Sequence, residues 1–220
     1  TKRAAVTAAT DSFAAAETEV LGGLKPITSG QWDYAKARHL LSRAGFGGPP
    51  EEEDRLVAMG PHAAVDHLVE YHRQPASNIV LDVRPLERPL WYEGILEPIE
   101  RDQLANERNG QEQSQLGTVR QWWLRRMAES PRPLEEKLTL FWHDHFAVGL
   151  YDKINQIHFV YKQNETFRTY ADKYDGLLRE IIHDPATIIY LDNQVNRKGA
   201  GNENLGREVL ELFSLGRDQG

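Results

Sequence analysis

Apolar residues return at helical spacing in one segment after another of this chain, and no run shows a convincing strand-like alternation. Prolines and glycines punctuate those segments. Together these two patterns point to a mainly α fold, an irregular multi-helix bundle with long Pro-containing connectors. The stretch 33–46 has a helical period and stops at Gly47-Gly48-Pro49-Pro50. Pro50 suits a helix start, with Glu51, Glu52 and Glu53 in the first turn where the helix dipole favours acids. That helix is expected to end at Gly60, and a second short helix over 61–72 makes a hairpin with it. Pro85, Pro89 and Pro98 rule out a long helix over 78–98, which reads as an extended connector pinned by Leu90 and Trp91. A long helix follows over 99–130, with a polar middle expected to break or to be mobile. The remaining expectations are helices over 133–148, 152–162, 165–172, 176–184 and 203–216. A further one starts at Pro185, capped by Asp184.

At 220 residues the chain is long enough for one large domain with a core. Residues 1–30, rich in Ala and Thr, read as a flexible or partner-docking arm, and 31–220 as the helical domain. A net charge of -7 argues against a nucleic-acid partner, since phosphate contacts need a basic face. No apolar run approaches 18 residues, so no membrane-spanning helix is expected. The absence of Cys rules out disulfides, thiolate ligands and a cysteine nucleophile. No G-x-S-x-G and no phosphate loop is present.

The stretch FWHDHF, 141–146, places His143 and His145 two apart among aromatics. Residues two apart in a helix point about 200° from each other, so the two cannot bind one ion from a regular helix. Taking Phe141 as reference, Leu134, Leu138 and His145 lie on one apolar stripe. The expectation is therefore an inward His145, with His143, Glu136 and Thr139 facing away. In the last helix Leu205, Val209, Leu212, Phe213 and Leu215 form an apolar arc. Glu208 falls inside it, with Asn204 and Glu211 on its edge. A buried carboxylate needs a partner, because leaving it unpaired costs several kcal/mol. Arg38, Arg43, Arg207 and His145 are the candidates. His145 and Glu208 are thus candidate proton-transfer residues, and His145, Glu208 and Glu211 candidate ligands of a divalent metal. Each also has a bland reading: a core histidine, and a buried Arg–Glu clasp between helices. Asn202 and Asn204 read as helix caps before ligands.

Three stretches read together, HLLSRAGFGGPPEE, LTLFWHDHFAVG and LDNQVNRKGAGNENLGREVLELFSLG, resemble the large bacterial family called domain of unknown function 1800. Its pattern is carried here by Arg43, Gly45, Phe46 and Gly47, then by Trp142, His145 and Phe146. The third block supplies Asn202, Glu203, Asn204, Arg207, Glu208, Glu211, Leu212, Leu215 and Gly216. Gly206 departs from it, where an aromatic–alanine pair is commoner. The resemblance runs from about Trp32 to the end. It implies an exported protein, periplasmic or at the cell surface, and a C-terminal half beyond residue 220. It also implies a protein partner, either that half or a second exported subunit. It implies no activity. The residues themselves suggest a metal-dependent or acid/base enzyme with a His/Glu site, and alternatively a non-catalytic scaffold component of a surface complex.

Overall fold

The computed structural model describes residues 25–86, 97–146, 148–149, 153–154 and 156–216. Among them are eight α-helices and no β-strand. The first, α1 (Tyr34–Ala44), is capped by Asp33, whose side chain accepts from the Lys36 backbone N–H. Next comes α2 (Pro50–Val69), which contains the two short helices expected here. They join directly at Gly60, φ 77° and ψ 168°, a left-handed backbone that glycine adopts at little cost. Ala37, Leu41, Leu56, Ala64 and Leu68 zip α1 to α2.

The turn after α1 meets the start of α4 (Pro133–His145). A side chain at Gly45 would put its Cβ 2.8 Å from Pro133 Cβ, so the close approach requires glycine. Phe46 then lies under the Lys137 ammonium, 4.8 Å from ring centroid to Nζ.

Helix α3 (Pro98–Glu129) runs unbroken through the polar middle where a break was expected. Residues 157–169 form one helix, α5 (Ile157–Thr169), rather than the two expected. The chain continues with α6 (Tyr174–Ile181), α7 (Pro185–Tyr190) and α8 (Asn204–Glu211). Asp184 caps α7 as expected, accepting from the N–H groups of Ala186 and Thr187. Most of residues 1–30, and Leu90 and Trp91, lie outside the described residues. The described part of the connector is held by Ile79, Leu81 and Val83 against Leu116, Val119, Trp122, Ile157 and Tyr161.

The expected facing of α4 is reversed. Glu136 and Thr139 are fully buried, whereas Phe141 is 56% exposed. The deep face of α4 is polar because neighbouring helices bring cations to it. Arg126 of α3 donates from Nε to Glu136 Oε1 at 2.7 Å. Arg168 of α5 donates from Nε at 2.9 Å and from an Nη at 3.0 Å to the two carboxylate oxygens. Hydropathy alone finds the period of such a helix but assigns its faces wrongly.

Replacing Glu136 by Ala leaves two buried guanidiniums without their anion. The expected loss is about 3–5 kcal/mol of folding stability, read from urea unfolding. Glu129→Ala, which breaks an exposed i,i+4 pair with Arg125, is the control and should not shift the midpoint measurably.

Candidate functional site

The last turn of α4 carries the two histidines into different surroundings. His143 is packed edge-on against Trp123, centroids 4.9 Å apart, and against Phe167 at 6.1 Å. Burial pushes its imidazole pKa below the usual 6.5, with Asp144 opposing. The surface position expected for it is therefore wrong, for the same reason that α4 presents its polar face inward. His145 stacks parallel to the exposed Phe141, 6.2 Å and 4° between the rings. Phe146 lies edge-on at 4.7 Å and Phe213 at 6.1 Å. The Nε2 of His145 is buried with no hydrogen-bond partner among the described residues.

His145 stands in the wall of a cleft of about 580 Å³. Asp144, Lys153, Tyr190, Leu191, Asn204, Glu208, Leu212 and Phe213 complete the lining. The cleft thus brings His145 and Glu208 together as the sequence suggested. No ion pair joins them, and Glu208 is 3.4 Å from Arg207 on its own helix. Of the other cations considered for Glu208, Arg38 pairs with Glu53 at 3.7 Å. Glu211 does not line the cleft. Among the described residues no group of three or more His, Asp or Glu stands where it could hold a metal ion.

The wall contributed by α8 is hung from the end of α7 by asparagines. Asn202 Oδ1 accepts from the Asn204 N–H at 2.9 Å. Their side-chain amides reach the Leu191 carbonyl at 3.4 and 3.5 Å. Arg207 donates to Asn204 Oδ1 at 2.8 Å. Neither asparagine is the cap expected of it: Glu203 holds that position without a side-chain bond, and both amides are spent on the segment between α7 and α8.

Opposite, Lys153 donates to the Tyr190 carbonyl at 3.0 Å and forms an ion pair with Asp192. Asp192 has φ 57°, a left-handed conformation that Asp tolerates better than most side chains. Sequence reasoning missed Lys153, Tyr190 and Asp192. The one local signal was the turn-forming Asp192-Asn193 pair after an apolar run.

A family model described as Protein of unknown function (DUF1800) matches residues 39–220, and the chain belongs to that family. No curated protein and no solved structure matches it.

His143 has a measurable pH signature. Its folded-state pKa is depressed, so its contribution to stability is complete above the unfolded value near 6.5 and is lost as pH falls below it. His67 shifts in the same direction through burial and Arg55. The melting temperature is therefore expected to drop between about pH 7 and pH 5, and a folded His143→Phe variant to show a smaller drop. Thermal melts by circular dichroism across that range check this.

Proposed function

We propose that the cleft at the end of α4 is the active site of an acid/base enzyme, with His145 and Glu208 as its proton-transferring groups. The observation that carries this reading is the unpartnered, buried Nε2 of His145 in the wall of a cleft that Glu208 also lines. Buried polar atoms in a finished core nearly always have partners. One left over beside a cleft is explained by a group that arrives from outside.

In this reading His145 and Glu208, having no ion pair with each other, act on opposite sides of a bound substrate, one taking a proton and one giving it. Lys153 supplies a charged donor at the rim for charge that develops during reaction. Leu191, Leu212 and Phe213 give the substrate an apolar wall that limits water. A metal-dependent version needs a third ligand from beyond the described residues. The reading includes export to the periplasm or cell surface, and a chain without Cys is indifferent to an oxidising compartment.

A scaffold role is the second reading. It is favoured by the exposure of Leu210, Leu212 and Leu215 on and after α8, at 56, 48 and 64%.

The test is turnover by the purified protein of activated carboxylic esters, phosphate esters and glycosides. Hydrolysis of at least one class is expected. Both His145→Ala and Glu208→Gln should lower kcat/KM by about 10²–10⁴-fold with little change in melting temperature. Folded variants as active as the wild type overturn the assignment. No turnover of any class, with a stable complex recovered by size-exclusion chromatography, favours the scaffold.

A further inference from the structure

A second cleft, of about 720 Å³, lies at the opposite end of α4. It opens between the segment 71–80, the start of α4, and the end of α5 with the turn that follows. Glu135 and His145 mark the two ends of α4, ten residues or roughly 15 Å apart along the helix. The cleft floor is made of side chains buried to nine-tenths or more: Tyr71, Arg126, Glu135 and Arg168.

Every cation of that floor already has an anion. Arg126 and Arg168 share Glu136. Arg132 donates to Glu135 Oε1 at 3.2 Å, and Arg168 to Glu165 at 2.5 Å. The rim adds one charge of each sign, Asp172 and Lys173. A wall so balanced has no net pull on an anion or a cation.

Three polar atoms of the floor remain unspent. Arg126 Nη2 ends 3.9 Å from Glu135 Oε2, beyond hydrogen-bond range. No hydrogen bond among the described residues uses either atom or the Tyr71 hydroxyl. Burial, with the nearby Asp172 and Glu135 carboxylates, pushes the Tyr71 pKa up to about 12, so the hydroxyl keeps its proton. What is on offer is a donor, an acceptor, and a hydroxyl able to do both, in a neutral setting.

We propose that this cleft binds a neutral saccharide, whose hydroxyl groups accept from Arg126 Nη2, donate to Glu135 Oε2 and meet the Tyr71 hydroxyl. Sugar hydroxyls donate and accept at once and carry no charge, which is the complement of this floor. A phosphate or a carboxylate would have to compete with Glu135 and Glu136 for guanidiniums already paired. The site is separate from the His145 cleft and does not depend on its assignment.

Saturation-transfer NMR and calorimetry on the whole chain test this with cellobiose, maltotriose, xylotriose and chitotriose, with acetate, glycine and inorganic phosphate as ionic probes. At least one saccharide is expected to bind saturably, with an affinity unchanged between about 50 and 500 mM salt. Glu135→Gln is expected to weaken binding as well, and should that variant unfold, Tyr71→Phe tests the same floor. Tyr71→Phe is expected to weaken binding roughly five- to tenfold by removing one hydrogen bond. His145→Ala should leave it unchanged. The proposal is overturned if no saccharide binds, if binding is indifferent to Tyr71→Phe, or if only acetate, glycine or phosphate binds and salt weakens it.

Discussion

One carboxylate organises this molecule. Glu136 has no exposed surface, and its two oxygens accept three N–H groups from Arg126 and Arg168. Both guanidiniums also lie over the Trp122 ring, 5.6 and 5.2 Å from its centroid. Taking those charges out of water is expensive, and an apolar cluster of equal volume would often be as stable. The arrangement differs from an apolar contact in its directionality. A guanidinium fork meets a carboxylate in few orientations, so α3, α4 and α5 are fixed in rotation as well as in distance. The rotation of α4 then decides what its last turn presents. His143 is sent inward between Trp123 and Phe167, and His145 to the cleft.

One of these arginines, Arg126, reaches past the helices to the connector. Arg126 donates to the Ile79 carbonyl at 3.1 Å, and the Trp122 indole N–H does so at 3.1 Å. Tyr161 donates to the Leu81 carbonyl at 2.5 Å, and His158 Nδ1 is 2.7 Å from that of Val83. Carbonyls two residues apart in an extended chain point to the same side. Residues 79, 81 and 83 therefore offer their oxygens to α3 and α5 in one row. Side chains do here what a neighbouring strand would do in a sheet, so an extended segment is satisfied within an all-helical protein.

How much of this was legible in the sequence follows from where its signals lie. The start of α7 was readable because caps are local: Asp184 sits one residue before the helix and bonds to it, as Asp33 does for α1. The closeness of His145 to the last helix was readable because Glu208 falls within an apolar arc and needs a partner, and the structure joins the two helices through Phe146 and Phe213. The facing of α4 was not. It depends on arginines 10 and 32 residues away that turn a polar stripe into the buried one. The continuity of α3 was hidden in the same way. Its polar middle has low apolar content, and Arg108–Glu112 supports it from within the helix instead. Lys153 and Asp192 meet only across 39 residues, so no local pattern announces them.

The residues that carry the family resemblance divide by whether the fold uses up their polar capacity. Gly45 is required by the Pro133 contact, and Trp142 gives its indole N–H to the Ala171 carbonyl at 2.7 Å. Asn202, Asn204 and Arg207 spend theirs on suspending α8 from α7. These residues are accounted for by architecture, since each has a partner that folding itself provides. Among the described residues His145 keeps a buried nitrogen without a partner, and Glu208 pairs with its neighbour Arg207. Trp123 Nε1, Gln163 Oε1 and Asn164 Nδ2 are buried without partners as well, but among these atoms the His145 nitrogen belongs to a residue that lines the cleft. Leaving such a group unpaired costs stability, and that cost is offset where an incoming molecule supplies the missing partner.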